Sequence, residues 1–334
     1  MSHYQHLTIE EREKILVLYT KNESLRSIAR EIGRNVSTVS RELRRNTQGK
    51  KGYSAVEAQN KYRRRRKKCR RHKLLENPLL WETVNHLFLE LQWSPEQIAN
   101  RFVLEKRPFS ISYSTIYRAI YAGLFDTPAQ RKSHGCRGAA RKLRHRGKTR
   151  LGKGSIEKRG KMKVDFTIHE RPLEADNREV VGHWEGDTVL GKTGSACLVT
   201  LADRRSRFLL AGKVANKDSL LVAEEIIALL RTVPRYKRKT ITPDRGKEFS
   251  KYNLVTDLLQ VPFYFSDPHA PWQRGTNENT NGLIREYLPK SFDIALCSDE
   301  ELASYVEKLN TRPRKCLGWK TPYEVFYGDV LRLT

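Results

Sequence analysis

Residues 8–45 fall into three stretches whose apolar positions recur at helical spacing. Thr8 and Glu11 form a capping-box pair ahead of IEEREKILVLY, which predicts a helix start. Leu25, Ile28, Ala29 and Ile32 then share one face until Gly33 breaks the run, and Val36, Val39 and Leu43 make a third stripe. Farther on, Ser94-Pro95-Glu96-Gln97 places a capping serine, a first-turn proline and a glutamine ahead of Ile98, Ala99, Phe102 and Val103. After residue 180 the pattern changes to apolar, β-branched runs. Strands are expected within 180–190, 196–202, 208–214, 239–242 and 261–265, with helices over 218–231, 250–260 and from near Asn277.

The third stripe backs a face of Ser37, Thr38, Ser40, Arg41, Arg44 and Arg45. A helix, a glycine turn and a helix exposing small polar and basic residues describe a helix-turn-helix, with an ordinary three-helix bundle as the bland alternative. In the first case Ser37, Thr38 and Arg41 reach base edges, and Arg44 and Arg45 reach phosphates. Ser112–Tyr121 (SYSTIYRAIY) repeats the register of that third helix and brings Thr115 and Arg118 to the corresponding face. It reads either as a second helix-turn-helix with a longer turn or as a structural helical pair.

Charge sharpens this picture. The net charge is +26, of which residues 1–170 carry +23 and residues 171–334 only +3. The front of the chain is suited to a polyanion, and double-stranded DNA is the expected partner. Gln59–Lys73 is a basic run, and 127–156 holds ten Lys or Arg with no acid, the composition of a linker. Four spans follow: 1–50 as helix-turn-helix, 51–126 as basic helix plus helical region, 127–165 as linker, and 166–334 as an α/β unit. The five cysteines are scattered without a CxxC pair, so neither a zinc ribbon nor a disulfide framework is supported; Cys69 and His72 stand alone in the basic run. No signal peptide or membrane-length apolar run is seen, and a bacterial cytoplasmic, nucleoid-associated protein is expected.

The chemistry concentrates in the back half. Asp244 follows a short β-branched run and precedes a glycine, and Glu278 stands where a Pro- and Gly-rich loop becomes a helix. Thirty-three residues separate the two. Carboxylates delivered by a strand end and a helix start are what a divalent-metal site for phosphoryl transfer requires. Glu185 and Asp187, two apart on the first strand, share a face, and either is placed to be a further ligand. Three strands followed by alternating helices and strands is the order of the ribonuclease H-like fold, in which Asp187, Asp244 and Glu278 converge.

GHWEGDTVLG, TPDRGKEF and DPHAPWQRGTNENTNGLIREYLPK together resemble the transposases of the insertion-sequence-thirty family and, more distantly, retroviral-type integrase cores. The resemblance covers about residues 165–334, and the N-terminal helices resemble that family's end-binding domain. It implies an Asp–Asp–Glu transposase with Asp187, Asp244 and Glu278 as catalytic metal ligands for two Mg²⁺ ions, Mn²⁺ serving as substitute. It also implies end cleavage, joining of the 3′ hydroxyl to target DNA, and at least a dimer on DNA. Retroviral-type cores commonly carry Asn-Gly after the second acid where this chain has Arg245-Gly246, so Arg245 is read as a phosphate contact. Arg274, Asn281 and Arg285 are read as DNA contacts beside the acids, and Arg312, Arg314 and Lys315 as available to DNA. The alternative function is a DNA-binding repressor or domesticated protein with an inactive core.

Overall fold

The computed structural model describes residues 5–47, 52–69, 73–126, 139, 164–192, 196–268 and 270–333. The expected basic linker lies outside the described residues apart from 139, 164 and 165, as do Arg70, Arg71, His72 and His269. The chain divides into two compact units, Met1–Glu76 and Asn77–Thr334.

In the first unit, helices α1 (Ile9–Thr20), α2 (Leu25–Glu31), α3 (Val36–Asn46) and α4 (Ala55–Cys69) enclose one small core of Ile15, Ile28, Ala29, Val39, Leu43 and Ala58. The expected capping box is present: the Thr8 hydroxyl accepts from Glu11 N–H, and the Glu11 carboxylate accepts from Thr8 N–H. Gly33 takes φ +65° between α2 and α3, a left-handed turn that costs glycine little. Beneath α3, buried Arg12 pairs with Glu42 at 2.7 Å, which fixes the rotation of α3 about its axis. The basic run continues α4, with Arg63–Cys69 exposed.

The second unit opens with α5 (Pro78–Leu89), α6 (Pro95–Leu104) and α7 (Tyr113–Tyr121). The capping box of Ser94 and Gln97, with Pro95 at the first turn, starts α6 as expected. The short α8 (Leu173–Asp176) leads into strands β1 (His183–Leu190), β2 (Cys197–Asp203) and β3 (Leu209–Val214), then α9 (Ser219–Arg231), β4 (Thr240–Thr242) and α10 (Tyr252–Leu259). Helices α11 (Gly275–Ile284), α12 (Asp299–Asn310) and α13 (Pro322–Tyr327) complete it. The sheet order is β3-β2-β1-β4, antiparallel except that β4 lies parallel to β1. That is the strand order of the ribonuclease H-like fold.

Two apolar layers sandwich the sheet. Trp184, Val199, Leu201 and Ile241 face Val222, Ile226 and Leu230 of α9 and Val255 of α10. Val189, Leu198 and Leu209 face Leu283 and Ile284 of α11 and Leu302 and Leu309 of α12. Each such fully buried aliphatic side chain contributes about 1.5–3 kcal/mol. Alternation along β1 therefore sends Glu185, Asp187 and Val189 to the α11 side.

The expected strand over 261–265 is reduced to isolated parallel bridges, Ile241 with Phe263 and Thr167 with Phe265. Pro262 has no N–H to give a ladder and contributes only its carbonyl, which accepts from Ile241 N–H at 3.0 Å. The α6 helix is tied to the C-terminal segment. Buried Arg101 forks onto Glu324 of α13 at 2.7 and 2.8 Å, and Gln97 Nε2 donates to Pro313 O at 2.7 Å.

Candidate active site

Asp187 sits at the middle of β1, opposite Thr200 on β2, and its Oδ1 accepts the N–H of Thr188 at 2.8 Å. On the other side, β4 ends at Thr242 because Pro243 interrupts it. The chain then turns through Asp244, whose Oδ1 accepts Gly246 N–H at 2.9 Å, a side-chain-closed turn. A side chain at Gly246 would displace the Glu248 carboxylate. A Cβ there would lie 2.3 Å from the Glu248 carboxylate, which is buried under the turn.

The two aspartates converge on one cation. Arg274, in the turn before α11, places Nη2 3.2 Å from Asp244 Oδ2 and Nη1 3.8 Å from Asp187 Oδ1, and donates to Gly186 O at 3.1 Å. Its Nε is buried and unpaired. From α11, Asn281 Nδ2 donates to the other oxygen of Asp187 at 2.8 Å, while its own amide oxygen accepts from Thr200. Burial pushes the Asp187 carboxyl above the usual aspartate range; the Asp244 and Glu248 charges push the same way, against Arg274 and the Thr188 N–H.

Glu278 lies in the first turn of α11, three residues before Asn281, and is exposed. Among the described residues no three His, Cys, Asp or Glu side chains are gathered in metal-binding geometry. The structure thus joins Asp187 and Asp244 and leaves Glu278 on the adjoining helix, outside a closed cluster. The donor chemistry fits a divalent cation at the aspartate pair, since two hard carboxylates, one from β1 and one from the turn after β4, already meet at a positive group.

Geometry sets Glu185 apart from Asp187. Glu185 is fully buried and consumed by Arg204 at 2.7 Å and Asn277 N–H at 2.9 Å. Asp203 is a buried turn residue, accepting from Ser206 and Gly182. His183 packs between Thr240 and Glu174, and Trp184 is core.

Of the expected DNA contacts, Ser37, Arg41, Arg44 and Arg45 are exposed along one face of α3, with Thr38 half-buried beside them. On α7, Arg118 is exposed, whereas the Thr115 hydroxyl bonds to the capping Ser112 at 2.9 Å. Arg245 donates to Ser266 O at 3.0 Å and faces Asp267. Arg285 donates to Leu190 O and Leu288 O at the end of α11. One expectation needs correction: Arg312 is not available to DNA. It is 3% exposed, bonded to Glu286 and the Tyr287 hydroxyl, because the segment that follows α11 folds over its guanidinium.

Sequence reasoning missed Glu248, which takes Lys217 at 2.5 Å and Thr188 Oγ1 at 3.2 Å beside Asp187. The tight glycine before it was the only available signal. It also missed the anchoring role of Glu185.

The helix-turn-helix domain family matches residues 3–46. Over 328 residues the chain is 38% identical to the transposase for insertion sequence element IS1086 of Cupriavidus metallidurans, covering 96% of this chain and 94% of that protein. Over 336 residues it is 39% identical to transposase InsI for insertion sequence element IS30A of Escherichia coli, covering 97% and 84%. Among solved structures, the catalytic core domain of BIV integrase matches 45% of this chain and 95% of its own at 20% identity, with a TM-score of 0.36.

Proposed function

Because the chain belongs to the transposases of IS30-type insertion sequences, we propose that it binds its element's terminal inverted repeats through α3, hydrolyses the ends and joins the freed 3′ hydroxyl to target DNA. The observation that carries this reading is the convergence of Asp187 and Asp244 on a single cationic group, with α11 bonded to Asp187 through Asn281.

In this reading Asp187, Asp244 and Glu278 hold two Mg²⁺ ions, or Mn²⁺ in their place. The bound ions supply charge neutralisation at the attacking and leaving oxygens of the phosphodiester. Asn281 holds one oxygen of Asp187 and so fixes the carboxylate plane that faces the substrate. Arg274 neutralises the two aspartates at rest and swings to a backbone phosphate when DNA enters. Glu278 closes on the pair at the same moment, completing the set of three acids. Catalysis is by positioning and electrostatics, with no covalent enzyme intermediate.

The proposal includes the division into 1–50, 51–126, 127–165 and 166–334, binding of both element ends and target DNA, action as at least a dimer, and work at the bacterial nucleoid in the cytoplasm. No helix among the described residues is long and apolar enough to cross a membrane. Base contacts are assigned to Ser37, Thr38 and Arg41. Phosphate contacts are assigned to Arg44, Arg45, Thr115, Arg118, Arg245, Arg274 and Arg285, the last three requiring side chains to leave their present partners, while Asn281 borders the DNA from its place on Asp187.

The exposed Glu278 favours one rival, a DNA-binding regulator with an inert core. Cleavage of a labelled terminal-repeat duplex separates the two. Mg²⁺-dependent nicking that Asp187→Asn reduces by at least about 100-fold supports the enzyme; binding without nicking supports the regulator.

A further inference from the structure

Four ionic side chains outside the acid pair, Glu185, Arg204 and Arg171 buried and Asp176 exposed, form one network behind it. Glu185 divides its carboxylate between Arg204 Nη1 at 2.7 Å and the backbone N–H of Asn277 at 2.9 Å. Arg204 donates from Nε to Ala175 O at 2.8 Å and from Nη1 to Gln273 O at 3.4 Å, and its Nη2 lies 4.0 Å from Asp176. Asp176 is in turn held by Arg171, which also donates to the Thr242 hydroxyl at 3.0 Å. Glu185, Arg204, Arg171 and Thr242 are all buried.

The points that this network grips are not random. Glu185 lies two residues before Asp187 on β1, Thr242 two before Asp244 on β4, and Asn277 one before Glu278 on α11. Glu185 and Thr242 are also register partners across the β1–β4 pair. The strand pair sets Asp187 against Asp244, and α11 is held on the sheet by its apolar face, by Arg274 on Gly186 O and by Asn281 on Asp187, but none of these bonds a backbone N–H of its first turn. The Glu185 carboxylate does so by accepting an N–H in the first turn of α11, where the helix dipole favours negative charge.

A buried ion pair is a weak source of stability, because desolvating both charges offsets most of their attraction. Burial, helped by the nearby Arg171 and Arg178 charges, lowers the Arg204 guanidinium to about 10 against the pull of Glu185. The network's return is directional.

We propose that Arg171, Asp176, Glu185 and Arg204 form a frame that sets the three acid-bearing segments relative to one another. Glu185 and Arg204 are then positioning residues for the metal site. This rests on the three-acid reading above.

The test is Mn²⁺ affinity of the full chain, followed by electron paramagnetic resonance titration, with thermal midpoints in parallel. The paired variant Glu185→Met with Arg204→Met removes both charges together. It is expected to keep a midpoint near wild type while Mn²⁺ affinity falls about 10–100-fold, the usual effect of losing an outer partner of a ligand set. Should the paired variant fail to fold, Glu185→Gln carries the test. Its amide oxygen still accepts from Asn277, and an affinity between wild type and Asp187→Asn is expected. Mn²⁺ affinity unchanged in both variants, with binding lost in Asp187→Asn, overturns the frame alone. Mn²⁺ binding indifferent to Asp187→Asn overturns the three-acid reading and the frame with it.

Discussion

Arg274 reaches Asp244 across 30 residues of sequence, with Nη2 3.2 Å from Oδ2, and the same guanidinium lies 3.8 Å from Asp187. A side chain only 13% exposed thus holds together two acids that would otherwise repel. It occupies the ground between the two acids proposed above as metal ligands.

Replacing Arg274 by Gln is expected to cost about 1.5–3 kcal/mol without metal, the usual loss for a hydrogen bond to a charged partner. The same variant should gain more thermal stability from Mg²⁺ than wild type does, since no internal cation competes. Melting curves with EDTA and with Mg²⁺ check both parts. A variant that melts like wild type in EDTA, or that loses its response to Mg²⁺, contradicts the resident-cation role.

On α3, Arg41 is exposed beside Ser37 and Thr38, and Arg44 continues the face. Arg41→Ala is expected to weaken terminal-repeat binding by about 1–3 kcal/mol and random-duplex binding far less. Arg44→Ala should weaken both alike and lower the steepness of the salt dependence by about one counterion. Fluorescence anisotropy on both duplexes over a salt series separates the two roles. Equal losses for Arg41→Ala would reassign it to phosphate.

Much of this was legible in the chain because local chemistry and tertiary structure agree there. Thr8 with Glu11 and Ser94-Pro95-Gln97 start helices where their capping chemistry places them. The β-branched run that ends at Pro243 becomes a strand that stops at Thr242, delivering Asp244 beside Asp187. What stayed hidden depends on partners remote in sequence. Arg312 looks like a free cation in a basic segment, yet the turn after α11 supplies Glu286 and Tyr287 to bury it. Glu185 and Asp187 are indistinguishable by spacing; only the arrival of Arg204 and Asn277 tells anchor from candidate ligand. The exposure of Glu278 was equally unreadable, because helix-start position says nothing of how far a flexible glutamate reaches.

Glu324 gives the second unit a pH signature. Burial pushes its carboxyl up, but hydrogen bonds from Arg101 and from the Thr321 and Leu331 N–H groups outweigh this and bring it down from 4.5 to about 2. A carboxyl held lower in the folded than in the unfolded state adds stability that is complete above 4.5 and is lost as pH falls through about 2. Urea midpoints of the wild type should therefore fall across that window. Arg101→Met should be less stable at neutral pH, by about 3–5 kcal/mol for a broken buried pair, with a shallower fall in acid. Parallel profiles for the two proteins would contradict the assignment.

The most direct measurement is strand joining. A labelled terminal-repeat duplex is incubated with plasmid DNA and either wild type or Glu278→Gln, in Mg²⁺ and in EDTA. Joined product is expected only from the wild type with metal, with Glu278→Gln reduced by at least about 100-fold while still retarding the duplex on a gel. Joining that survives Glu278→Gln would remove Glu278 from the site, and joining in EDTA would remove the metal.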